Sequence, residues 1–389
     1  MKIPKHILPI IVLAQFFCTS LWFAGNGVMF SLIAHFNFKG TGLGDITSAV
    51  QFGFIVGTLI FAIFTLTDRF SPSKVFLWCA VLGAIFNLGI VWEGNSSTSI
   101  LLFRFLTGFF LAGIYPIGMK IAADYFDKGL GKSLGYLVGA LVLGTALPHF
   151  LKWLSAVFLW QYVIYATSFL AVLGGLLMVV LVPNGPYRKP SQHQNFTACF
   201  SIFKKTDFRA AAYGYFGHMW ELYTFWAFVP MLLGLHAEIQ DHNLFRVSFW
   251  SFWVIAIGGV ACVIGGYISQ HKGTKRTAAI ALFLSGVCCL ASPLLLLYAP
   301  TPVFITFLLF WGMVVIADSP LFSTLVAQNA PMKIKGTALT IVNSIGFAIT
   351  IISLQTITIL QTIIPSAYLF MVLALGPLFG LLSLYKTKS

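Results

Sequence analysis

The sequence predicts an all-α polytopic membrane protein, with twelve transmembrane helices arranged as two six-helix bundles. Three observations carry that prediction. Of the 389 residues, 59% are hydrophobic and only 8% are charged, against about 25% charged in soluble domains. The apolar residues gather into twelve runs, each near the roughly 20 residues that a bilayer-crossing helix needs. Several landmarks of the first half recur in the second at nearly one offset, which marks an internal repeat.

The first run, 7–33, follows "MKIPKH" and superficially resembles a secretory leader. It extends to Ile33 without a small-residue cleavage site, so it is read as an uncleaved first span. Span 2 covers 46–66, with Asp45 in "GDITS" as its N-cap. Spans 3 to 6 cover 75–92, 100–122, 133–150 and 157–182. Pro116 inside span 4 predicts a kink. The longest connection, 183–208, holds "PNGPYRKPSQHQNF" and divides the chain almost in half. Its second part sets Phe196, Phe200 and Phe203 near helical spacing beside Lys204 and Lys205, the pattern of an interfacial helix on the inner leaflet. Spans 7 to 12 follow at 210–235, 247–268, 277–298, 303–327, 337–360 and 366–385. The domains are therefore 1–183, an N-terminal bundle; 184–208, a cytoplasmic linker; and 209–389, a C-terminal bundle. Gly53 with Gly57, and Gly135 with Gly139, have the small-xxx-small spacing of close helix packing.

The net charge of +13 invites a nucleic-acid reading, but the placement of the basic residues excludes it. Eighteen of the 23 Lys and Arg residues lie at the termini or in the even-to-odd connections, and only Lys39, Lys152 and Arg246 lie in the others. That asymmetry places both termini in the cytoplasm. Five of the six cysteines sit in apolar runs, and none have metal or redox spacing. The histidines are scattered, "GTGLG" at 40–44 lacks a preceding strand, and no phosphate loop is present. Neither a cofactor nor a metal is expected. An enzyme or a non-transporting receptor would need an extramembrane domain, and the longest connection has only 26 residues.

The repeat landmarks are specific. "FTLTDRFSPSK" at 64–74 has its counterpart in "GYISQHKGTKR" at 266–276, Pro116 in Pro320, and "GKSLGYLVG" at 131–139 in "GTALTIVNS" at 336–344. The first of these pairs resembles the loop motif of the major facilitator superfamily, which that family repeats between spans 2 and 3 and between spans 8 and 9. The second copy keeps Gly266, Gly273, Lys275 and Arg276, with Gln270 and His271 in place of the acidic–basic pair. The first keeps Asp68, Arg69 and Lys74, with Phe64 and Ser71 in place of glycines. Arg104 and Gly108 in span 4 resemble a second motif of the family. The resemblance implies a secondary active transporter, with spans 1, 4, 7 and 10 around one central site exposed alternately to each side. It also implies that Asp68, Arg69, Lys275 and Arg276 act in gating.

Five ionisable residues lie within spans: Arg104, Lys120, Asp124, Glu221 and Asp318. Such groups are costly in a bilayer and mark function by default. Lys120 and Asp124, at i and i+4, form a structural or gating pair. Tyr115 falls near the Arg104 face of an unbroken helix. Glu221 is close to the middle of span 7, with His218 one turn away, and is the favoured coupling group. Asp318 is followed by Ser319 and Pro320, which free nearby carbonyls. Trp22 and Asn26 add uncharged polar groups from span 1. The substrate-binding or coupling set is therefore Arg104, Glu221, Asp318, His218, Tyr115, Trp22 and Asn26. The expected partners of this monomeric protein are a small organic solute, a proton in preference to sodium, and the lipid bilayer of the plasma membrane. The alternative function is proton-driven export of apolar or cationic compounds.

Overall fold

The structure is a computed structural model that describes residues 4–36, 42–126, 130–154, 159–188, 202–240, 246–331 and 334–385. Its regular elements are all helical. The chain falls into two compact units, Met1–Gln192 and His193–Ser389. Eleven helices among the described residues are long and apolar enough to cross a bilayer. The predicted interfacial helix, with Phe196 and Phe200, lies outside the described residues.

Span 1 differs from the single helix expected. It runs as Ile7–Thr19, Ala24–Gly27 and Met29–Phe36, with turns between. The segment "AGNG" offers little side-chain packing and much backbone freedom. The outer pieces are held instead by tertiary contacts, with Val28, Met29 and Leu32 packed in a core with Ile90, Trp160 and Ile164. Span 2, Gly42–Ile63, begins three residues earlier than Asp45. That places Asp45 in the first helical turn rather than at the cap, where a carboxylate still favours the helix N-terminus.

Spans 4 and 10 break at equivalent places. Span 4 is Ser97–Leu111 and Tyr115–Tyr125; span 10 is Thr301–Ala317 and Ser319–Asn329. Each second half carries a proline in its first turn, Pro116 or Pro320. Proline lacks an N–H and its ring clashes with the carbonyl four residues back, so the helix stops and restarts. Both restarts are closed by the same backbone bond at an offset of 204: Gly118 N donates to Ile114 O and Phe322 N to Asp318 O, each at 2.8 Å. Span 4 also starts earlier than expected, because Ser96 and Ser99 form a reciprocal capping box.

The offset of 204 extends to packing. A Cβ on Gly108 would overlap the Val50 carbonyl, and one on Gly312 would overlap the Val254 carbonyl. Close approach thus joins span 2 to span 4, and span 8 to span 10, at matching positions. Gly53 and Gly57 meet the backbone of Phe105 and Phe109 as the spacing predicted. Gly135 does not, since an added Cβ there would touch nothing. Within each unit the neighbour pattern repeats. In the first, span 1 packs along spans 5 and 6, and in the second, span 7 packs along spans 11 and 12.

The loop between spans 8 and 9 is shorter than predicted. Val247–Lys272 and Thr274–Tyr298 are separated by Gly273 alone, at φ +85°. A β-carbon is strained in that left-handed region, whereas glycine is not.

Candidate functional site

Two polar clusters stand where the sequence placed its intramembrane charges, one in each unit. In the N-terminal unit, Arg104 is completely buried. Its Nη1 donates to Leu21 O at 3.1 Å and to Asn87 Oδ1 at 3.4 Å, and its Nη2 donates to Trp22 O at 2.5 Å. Leu21 and Trp22 belong to the unwound turn of span 1, so the guanidinium binds carbonyls that helix would otherwise occupy. Asn87 is itself oriented, because its Nδ2 donates to Ser168 Oγ at 2.9 Å and Thr167 Oγ1 at 3.2 Å. Asn26 Nδ2 donates to Thr47 Oγ1 at 2.8 Å, and the Trp22 ring lies 4.7 Å from that of Phe54. Arg104, Trp22 and Asn26 are therefore brought together around one break.

Tyr115 follows the interruption of span 4, which resets the helical phase; the shared face with Arg104 expected of a continuous helix no longer follows. Lys120 and Asp124 stand one turn apart on Tyr115–Tyr125. Asp124 is buried, and its carbonyl accepts from Tyr187 N at 2.9 Å. Tyr125 donates to Pro183 O at 2.5 Å, and Ser73 donates to Val182 O at 2.8 Å. These bonds tie the end of span 6 and the start of the linker to the ends of spans 3 and 4. Arg69 ends the short helix Leu66–Arg69, while the Asp68 side chain lies outside the described residues. Lys275 and Arg276 occupy the first turn of span 9, with Arg276 exposed.

In the C-terminal unit, Glu221 and His218 project from one helix, Thr206–Ile239, into different surroundings. Glu221 accepts three hydrogen bonds: from Ser285 Oγ at 2.8 Å to Oε2, and from Trp311 Nε1 at 2.7 Å and Cys289 Sγ at 3.3 Å to Oε1. Both carboxylate oxygens are thus satisfied by spans 9 and 10. His218 Nδ1 lies 2.8 Å from Asp318 Oδ1, and Asp318 Oδ2 is buried without a partner. His218 Nε2 also has none. Both residues are buried. Asp318 is the residue at which span 10 breaks, and Ile316 O, four residues before Pro320, accepts from Cys262 Sγ at 3.5 Å.

Asn87, Ser285, Cys289 and Trp311 escaped the sequence reading. Trp311 carried the usable signal, because a buried indole N–H requires an acceptor and few acceptors exist in an apolar span. Ser285 and Cys289 look like ordinary small packing residues in sequence.

A sequence profile of the Major Facilitator Superfamily matches residues 11–354. A putative metabolite transport protein of Haemophilus influenzae is 28% identical over 134 residues, about a third (32%) of each chain. Among solved structures, a D-xylose–proton symporter aligns with a TM-score of 0.77 at 15% identity, covering 97% of this chain and 96% of that one. The proton:xylose symporter XylE bound to 6-bromo-6-deoxy-D-glucose gives 0.75 at 14%, covering 98% and 94%. The nucleoside transporter NupG gives 0.72 at 14%, covering 97% and 98%. Identities this low establish the fold, while the profile spans nearly all of the chain. This multi-pass membrane protein belongs to the Major Facilitator Superfamily.

Proposed function

We propose that the chain is a secondary active transporter, moving a small polar organic solute by alternating access and coupling it to protons through Asp318 and His218. The observation that carries this reading is the 2.8 Å contact between those two side chains, with His218 Nε2 and Asp318 Oδ2 buried and open. A lone carboxylate in this environment is expensive. An imidazolium neighbour neutralises it, and so does a proton. Taking up a proton on Asp318 removes its attraction for a charged His218, so protonation and the position of span 10 are linked. The break at Asp318 puts this group where the helix can bend.

The sequence favoured Glu221 as the coupling group, on its depth and on His218 one turn away. We assign coupling to Asp318 instead, because Glu221 has no open oxygen: three donors hold it, and it joins spans 7, 9 and 10. Related folds support a solute-transport reading, since the solved structures named above include proton symporters of xylose and a nucleoside transporter. Export of apolar or cationic compounds draws no support from the span-7 rings. Phe225 is stacked on Trp311 at 4.3 Å and Tyr223 packs on Phe347 at 5.4 Å.

Transport in proteoliposomes tests the assignment. Asp318→Asn is expected to exchange labelled solute at equal pH on both sides, yet fail to concentrate it under an imposed pH gradient. Accumulation equal to the parent's by Asp318→Asn would remove Asp318 from coupling. Uncoupling by Glu221→Gln with Asp318→Asn unaffected would return the role to Glu221.

A further inference from the structure

We infer that the N-terminal unit holds a binding site for a small hydroxy carboxylate, anchored by Arg104 and completed by Gln51 and Asn26; this names the solute class and rests on the transporter reading above. The partners of Arg104 among the described residues are all neutral oxygens. A buried guanidinium without a counter-anion is costly, and the carbonyl dipoles offset only part of that cost. Of its five N–H donors, the end formed by Nη1 and Nη2 serves Leu21, Trp22 and Asn87. The Nε edge is left, and Nε has no partner. Beside it lies Gly25, where an added Cβ would come within 3.2 Å of Nε. The same Cβ would come within 3.2 Å of Ile46 Cγ2, so any side chain at this position would press against the edge. The edge of a guanidinium is matched to a carboxylate.

The second observation comes from span 2. Thr47, Gln51 and Phe54 fall on one face of Gly42–Ile63, at i, i+4 and i+7. Thr47 accepts from Asn26 and Phe54 packs on Trp22, so this face meets the broken segment of span 1 that Arg104 binds. Gln51 lies between them, fully buried, and neither its Oε1 nor its Nε2 has a partner. Asn26 Oδ1 is also buried and without one. Native structures seldom leave buried amide atoms unsatisfied. The open groups are thus a guanidinium edge, an amide N–H donor, and two amide oxygens. A carboxylate fills the first. A hydroxyl on the same small molecule, which both donates and accepts, fills the others. A neutral polyol would leave the guanidinium charge unmet.

The test uses the full chain, purified in detergent at fixed ionic strength, and reads the thermal unfolding midpoint. The probes are matched pairs: D-gluconate against D-glucose, D-glycerate against glycerol, and L-lactate against lactamide, with chloride and sulfate as inorganic controls. Carboxylates are expected to raise the midpoint at concentrations about tenfold or more below those their neutral counterparts need, the loss expected for a charged hydrogen-bonded anchor. Gln51→Leu should leave the unliganded midpoint in place and weaken carboxylate binding about tenfold; this keeps the test usable if Arg104→Gln fails to fold. The proposal is overturned if no carboxylate shifts the midpoint, if the neutral partners act equally, or if sulfate or chloride act as well as the organic acids. Counterflow of the same labelled probes in proteoliposomes separates the two readings. Carboxylate binding without counterflow would sink the transporter reading, whereas counterflow of a neutral polyol alone would sink this one.

Discussion

Arg104 and Glu221 show how far a residue type can be read before its neighbours are known. Both are ionisable groups in apolar spans, and the sequence marked both as functional. In the structure Glu221 is a junction: Ser285, Cys289 and Trp311 all donate to it. Replacing it with leucine would leave the Trp311 N–H buried and unpaired, at a cost of about 1–3 kcal/mol. Glu221→Leu is therefore expected to lower the unfolding midpoint in detergent more than Glu221→Gln, which keeps an acceptor oxygen. Equal midpoints for the two variants would show that those hydrogen bonds contribute nothing net. Arg104 stabilises the unwound turn of span 1, so Arg104→Leu should cost about 2 kcal/mol or more, by the loss of charged hydrogen bonds to Leu21 and Trp22. An unchanged midpoint would mean that the turn holds itself. The candidate residues were legible as charges among apolar neighbours; their division into a junction, a clamp and an open pair was not, because it depends on donors from other spans.

Helix by helix, proline marked two of the breaks, although Pro148, Pro230 and Pro293 lie within continuous helices. Pro116 and Pro320 announced the interruptions of spans 4 and 10, since each removes a donor and displaces a carbonyl. The break in span 1 contains no proline, and its apolar run gave no warning. Glycine spacing was a weaker guide still. Gly108 and Gly312 face carbonyls of Val50 and Val254, while Gly135 faces open space. Gly108→Ala and Gly312→Ala should each destabilise by about 1–3 kcal/mol or more through overpacking. Gly135→Ala, in an accommodating helix, should be neutral or stabilising by about 0.4–1 kcal/mol. Yield of folded protein and the unfolding midpoint measure both, and a Gly135→Ala variant as damaged as the other two would refute the packing account. At Gly273, φ of +85° makes alanine unfavourable by roughly 1 kcal/mol or more, although an added Cβ would touch nothing there.

Across the whole molecule, the asymmetry of Lys and Arg predicts an orientation. Accessibility tags at Lys2, within 184–208 and at Ser389 are expected to report from the cytoplasm, and one near Asn95 from the opposite side. A linker tag reporting from outside would overturn the arrangement of two six-span halves. Composition and hydropathic runs determined by themselves that the chain is helical and lives in lipid, because a hydrocarbon solvent forces backbone groups to bond internally. Repeat landmarks near an offset of 204 also showed that the two halves share one plan. Tertiary structure alone decided that span 1 is broken, which glycines touch a carbonyl, and which charges are satisfied. The reason is physical: hydrophobicity is a property of each residue, readable in order along the chain. Satisfaction of a buried polar group depends on a partner dozens of residues away, as Trp311 and Glu221 are, and only packing brings that partner within 3 Å.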